Sequence, residues 1–130
     1  MNPARFVPDA SVLVAFLVDG APLGSARVGA RFLAPTMLHY EVTNIIRRES
    51  VRGEIAPETQ REALDDLKAM AIEMWPWPVL AARVWELRHN LTSYDASYVA
   101  VAELANATLI TKDRRMAAAP GIRCPVEVMP

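Results

Sequence analysis

Apolar positions along this chain change their period repeatedly, and the changes mark an alternation of strands and helices. The stretch Arg5–Pro8 predicts a short buried strand, followed by a helix over about residues 11–18. Gly20-Ala21-Pro22-Leu23-Gly24 predicts a turn, with a weak helix at 25–31 and a second strand at 32–34. Pro35 suits the first turn of the next helix, which runs to Arg52 and stops at Gly53. Pro57 and Glu58 open another helix, with Ala63, Leu64, Leu67, Met70 and Ala71 at helical spacing. A strand is expected at 72–77, then a helix from Pro78 with Leu80, Val84, Leu87 and Leu91 on one face. Residues 93–105 are apolar nearly all round, which implies a buried helix, with Asn106 as its cap. A strand at Thr108–Thr111, a short helix at 114–119 and a strand at 126–129 complete the pattern. Such alternation implies an α/β domain with a mainly parallel sheet covered by helices on both faces.

Composition narrows the class. At 130 residues the chain is one domain, 1–130, long enough to bury a sizeable core. One cysteine, Cys124, excludes an internal disulfide and a cysteine-rich zinc site, in keeping with a reducing cytoplasm. The apolar run from Val12 to Val18 is too short to span a membrane. Net charge is −1, so any nucleic-acid binding must use locally concentrated cations. Of the 14 cationic residues, 12 are arginines, the side chain suited to phosphate.

Chemistry is concentrated in Asp9, Glu41, Asp95 and Asp113. Asp9 follows the first strand, Asp95 precedes the buried helix and Asp113 follows the strand at Thr108–Thr111. Capping a helix is the plain reading of each aspartate alone, and Thr92-Ser93-Tyr94-Asp95 approximates a capping box. Glu41 lies within its expected helix, among Leu38, Val42, Ile45 and Ile46, where alone it reads as a solvated position. Strand ends in open α/β sheets converge, however, so acids placed there can meet. Carboxylates about 5 Å apart repel by roughly 3 kcal/mol per pair at an effective dielectric near 20. A hard divalent cation removes that penalty. His39 and His89 lack paired ligands and read as structural or solvated.

Together, Val7-Pro8-Asp9-Ala10-Ser11-Val12-Leu13-Val14, Tyr40-Glu41-Val42-Thr43-Asn44, Tyr94-Asp95-Ala96-Ser97-Tyr98-Val99-Ala100-Val101-Ala102 and Thr111-Lys112-Asp113-Arg114-Arg115-Met116 resemble the PIN-domain ribonucleases. VapC-type toxins of bacterial toxin–antitoxin pairs are the nearest match. The resemblance implies a PIN-like three-layer fold and a Mg²⁺- or Mn²⁺-dependent endoribonuclease. It places Asp9, Glu41, Asp95 and Asp113 at the metal, Thr111 at the hydroxyl position of the last motif, and Ser11 and Asn44 at polar positions nearby. It also implies a cytoplasmic protein with an RNA substrate, an antitoxin protein as partner and a homodimer. Pro8 departs from the pattern: members carry an apolar residue before the first aspartate, and proline removes a ladder donor there.

Phosphodiester hydrolysis suits these residues. A divalent ion activates water and stabilises charge on phosphate, and Mg²⁺ takes only one or two direct carboxylates. Asp9 and Asp95 are expected innermost, Asp113 close behind and Glu41 acting through water. Arg114 and Arg115, next to Asp113, are the first candidates for RNA contact, ahead of Arg47 and Arg48. Trp75-Pro76-Trp77 is expected mainly in the core, with some support for a dimer surface. The chain has neither Gly-x-Gly-x-x-Gly nor a P-loop, and Ser11 stands where a dehalogenase-like phosphatase needs an acid. The competing reading is an inactive PIN-like module that binds RNA or protein. Such a module is expected to have lost acids, and none is missing here.

Overall fold

The computed structural model describes residues 3–130. In chain order its elements are β1 (Arg5–Pro8), α1 (Ala10–Asp19), β2 (Arg31–Pro35), α2 (Leu38–Val51), α3 (Pro57–Ala69) and β3 (Ile72–Trp75). There follow α4 (Trp77–Glu86), α5 (Ser93–Leu104), β4 (Thr108–Thr111), α6 (Arg114–Ala117) and β5 (Val126–Val128). The strands form a 5-stranded sheet in the order β3-β2-β1-β4-β5, every neighbouring pair parallel. Crossovers from β1 to β2 and from β2 to β3 step one way, and the return from β3 to β4 steps the other. Because such crossovers are right-handed, α1, α2 and α3 cover one face and α4 and α5 the other. In agreement, α1 packs on α2 and α3, whereas α4 packs on α5 and α5 lies against β1, β2 and β4.

Burial explains α5. Every residue from Ala96 to Ala102 is buried, which its apolar circumference requires. Leu13, Leu38, Val99, Leu109 and Ile110 are wholly enclosed in the same core. At the far end of α5, Glu103 meets Arg83 of α4 at 2.6 Å, and both side chains are largely withdrawn from solvent (10% and 13% exposed). The same two residues hold the segment before β5: Arg83 donates to Gly121 O at 2.6 Å, and Glu103 accepts the Arg123 N–H at 2.7 Å.

Four local expectations change. Residues 25–30 form turns and loop rather than a helix, and Arg31 already belongs to β2, with Gly24 and Gly29 at φ 55° and 91°. Glu127 holds that segment by accepting Ser25 N–H at 2.7 Å and Ser25 Oγ at 2.5 Å, and a side chain at Gly24 would run into it. Pro35 closes β2 instead of opening α2, so the helix starts later and Glu41 falls in its first turn, not its middle. β3 stops at Trp75, because Pro76 caps α4 and Trp77 begins it. Trp77 consequently stands 64% exposed and is not part of the core.

Pro8 is accommodated by the way the strands part. Asp9 N–H donates to Ile110 O at 2.9 Å, which is the β4 side. Alternation along a strand turns the Pro8 nitrogen toward β2. There the β1–β2 register ends at Phe6↔Phe32, so Pro8 lies beyond the last pair of that ladder. Pro35 mirrors this on β2: Thr36 N–H bonds Trp75 O at 3.2 Å on the β3 side, leaving the Pro35 nitrogen toward β1. The seam between β1 and β2 therefore lacks donors from both strands at its carboxyl end.

Candidate active site

The strand order reverses between β1 and β4, and the carboxyl ends at such a reversal leave a crevice. Asp9 stands at the end of β1 as the N-cap of α1, accepting the Val12 N–H at 3.1 Å through Oδ1. Its Oδ2 accepts the Thr111 hydroxyl at 2.5 Å, from the end of β4. Asp113 caps α6 by accepting the N–H groups of Arg115 and Met116 at 2.9 and 3.2 Å. Asp95 lies in the first turn of α5, whose N-cap Thr92 accepts its N–H at 3.2 Å. The capping reading thus holds for Asp9 and Asp113 but not for Asp95, whose helix is capped by Thr92. A cap is compatible with a second role, because a carboxylate oxygen has lone pairs to spare.

Across the sheet, α2 brings Glu41 to the same place. Asp9, Glu41 and Asp95 line one open cleft of about 180 Å³, together with Ser11, Asn44, Arg48 and Tyr98. Glu41, Asn44, Ile45 and Arg48 follow i, i+3, i+4, i+7 spacing, so one stripe of α2 forms that wall. Tyr98 lies one turn beyond Asp95 on α5 and donates its hydroxyl to Glu41 Oε1 at 2.5 Å. Asp113 is outside this lining but near enough to raise the pKa of both Asp9 and Asp95.

The electrostatics are those of acids forced together. Burial, then the charges of Asp95 and Asp113, raises Asp9 above its ordinary value, against the opposing bonds from Thr111 and Val12. Burial, with Asp95 and Asp9 adding repulsion, raises Glu41, and the Tyr98 bond works the other way. Burial and Asp113 raise Asp95, while Thr92 and the Arg115 charge counter them. Tyr98 is pushed up first by burial and then by its bond to Glu41, so it stays a neutral donor. Among the described residues, no three His, Cys, Asp or Glu side chains are drawn in tightly enough to grip one ion as they stand. Repulsion between uncompensated carboxylates opposes a closer approach. The chemistry of the set nonetheless fits a hard cation, being all oxygen with no imidazole or thiolate in the lining.

The remaining sequence candidates divide. Ser11 and Asn44 reach the cleft, and Thr111 is fully buried beneath Asp9. Arg115 lies 3.9 Å from Asp113 with its side chain 96% exposed. Arg114 is exposed, and no contact ties it to the acids. Arg48, ranked behind both in the sequence, is the arginine that lines the cleft. Tyr98 had been given no role; its spacing of three residues from Asp95 on a helix was the available signal.

Residues 6–122 match the PIN domain family. This chain belongs to that family. The Mycobacterium tuberculosis protein named Ribonuclease VapC9 is 34% identical over 124 residues, covering 95% of this PIN domain chain and 98% of its own length. Ribonuclease VapC1 of the same organism is 42% identical over 97 residues, covering 74% and 73% of the two chains. Among solved structures, PAE2754 from Pyrobaculum aerophilum superposes with a TM-score of 0.67 at 25% identity, over 96% of this PIN domain chain and 84% of that one. Among the described residues, no helix is long and apolar enough to cross a membrane.

Proposed function

We propose that this PIN domain is a divalent-metal-dependent endoribonuclease and the toxin component of a toxin–antitoxin pair. The observation that carries the reading is the gathering of Asp9, Glu41 and Asp95 in one cleft at the strand-order reversal, with Asp113 beside them. Two relatives that cover most of the chain are named ribonucleases, which supports the same activity.

Asp9 and Asp95 would hold Mg²⁺ or Mn²⁺, with Asp113 next to them. A bound divalent ion supplies an acidified water and polarised phosphoryl oxygens. The chain's own residues do the rest. Thr111 fixes the orientation of Asp9, and Glu41 accepts a proton-bearing group on the opposite wall. Ser11 and Asn44 offer hydroxyl and amide hydrogen bonds along the lining. Arg48 supplies a cation to phosphate from within the cleft and Arg115 from its rim, which offsets the repulsion of a polyanion by the acids.

An antitoxin fits the same electrostatics. Carboxylates that attract a divalent ion also attract a guanidinium, which pairs with them bidentately. A partner arginine or lysine placed in the cleft would then compete with the metal. Dimerisation has its support on α4, where Trp77 and Trp85 remain 64% and 67% exposed and Arg88 stacks 4.6 Å from the Trp85 ring centroid.

The deciding experiment incubates the purified protein with single-stranded RNA, with Mg²⁺ or with chelator. Internal cleavage that needs the ion and disappears in Asp95→Asn is the expected result. Cleavage at the parental rate by Asp95→Asn would remove the acids from the mechanism.

A further inference from the structure

Tyr98 is an unusual neighbour for the acids. It stands on α5 with only 2% of its surface exposed, yet its hydroxyl reaches the lining of the cleft. There it donates to Glu41 Oε1 at 2.5 Å across 57 residues of sequence. No buried side-chain nitrogen or oxygen among the described residues lacks a partner, and for the Tyr98 hydroxyl that partner is Glu41. Glu41 itself is half-exposed in the first turn of α2, where a glutamate has three rotatable bonds and no reason of its own to point one way. The rigid ring of Tyr98 is fixed by the buried helix that carries Asp95, so it transmits the position of α5 to a side chain on α2. One carboxylate oxygen of Glu41 is thereby occupied, and the other remains available in the cleft that Glu41 shares with Asp9 and Asp95.

We propose that Tyr98 is a positioning residue for the cleavage reaction: its hydroxyl sets the Glu41 carboxylate so that Oε2 addresses the species held by Asp9 and Asp95. The inference rests on the nuclease reading above, and it assigns Tyr98 no contact with RNA or ion. Its effect must therefore pass entirely through Glu41.

The test is a double-mutant cycle with Tyr98→Phe, Glu41→Ala and the pair. Two quantities are read: the Mn²⁺ dissociation constant without RNA, by calorimetry, and single-turnover cleavage over a range of RNA concentrations. Tyr98→Phe should slow the maximal cleavage rate by about tenfold to a hundredfold, the usual range for a residue that orients a ligand. The RNA concentration for half-maximal rate should stay within about twofold, since no RNA contact is lost. It should also weaken Mn²⁺ binding in the parent. In the Glu41→Ala background, where the Tyr98 hydroxyl has no acceptor at position 41, neither quantity should change further when Tyr98 is replaced. Full additivity in the cycle, for either quantity, would overturn the proposal, as would parental cleavage by Tyr98→Phe. A parent that binds Mn²⁺ but leaves RNA intact would sink the nuclease reading instead, and the Mn²⁺ cycle would still decide the role of Tyr98.

Discussion

Thr111 joins two of the acids through a single oxygen: it donates to Asp9 Oδ2 at 2.5 Å and accepts the Asp113 backbone N–H at 3.0 Å. The ends of β1 and β4 and the start of α6 are thus tied at one fully buried atom group. Thr111→Val keeps the shape and loses the hydroxyl. Cleavage should fall by about tenfold to a hundredfold, and Thr111→Ser should recover most of it. Rate measurements on the two variants decide the point; parental cleavage by Thr111→Val would assign Thr111 to packing alone.

Asp9 should make the metal-free protein less stable as pH rises. Its folded pKa lies above the ordinary 3.8, chiefly because of burial. A carboxyl with a raised folded value favours the folded state below its ordinary value, and that contribution is lost as pH climbs through the raised one. In chelator at about pH 7.5, Asp9→Asn should therefore melt above the parent, and the gap should close near pH 4. Asparagine also caps helices, so α1 keeps its start. A variant that melts below the parent at the higher pH would show that the bonds from Val12 and Thr111 outweigh desolvation.

Arg48 and Arg115 should each contribute to RNA affinity without much regard to sequence. Replacing either by alanine should flatten the logarithmic salt dependence by roughly 0.7, the value for one phosphate contact to a single strand. Binding is measured with Ca²⁺ in place of Mg²⁺ to prevent cleavage. Arg114→Ala is the comparison, because Arg114 has no contact with the acids, and its slope should match the parent.

Arg83 should matter for stability and not for chemistry. Its guanidinium is held by Glu103 and by Gly121 O on the far side of the sheet from α1. Arg83→Met leaves the withdrawn Glu103 carboxylate without its cation, at a cost of about 3 kcal/mol. Urea unfolding should show that loss, while the cleavage rate per folded molecule stays unchanged.

The sequence showed most of what local pattern can encode. The period of α5 and the strand at Thr108–Thr111 located Asp95 and Asp113 at the start of one element and the end of another, and the position of Asp9 after β1 brought it into line with them. What failed depended on distant partners. Residues 25–31 have no helix because Glu127, more than a hundred positions away, takes the Ser25 donors. Pro35 ends a strand because its missing donor faces a seam with no ladder, which only the pairing reveals. That same shift moved the start of α2 and with it the place of Glu41. Tyr98 belongs to the motif around Asp95, but its partner lies 57 residues upstream and no periodicity points there.

The reversal of strand order has a consequence during synthesis. β1, β2 and β3 can pair as soon as they leave the ribosome, but β4 must then slot in beside β1, and the Thr111–Asp9 bond spans 102 residues. Until that late docking, Asp9 lacks the Thr111 bond and Asp113 has not been brought near it. The set of four acids is complete only when the last strands close the fold, so the charge that an ion or a cationic side chain would neutralise is assembled last.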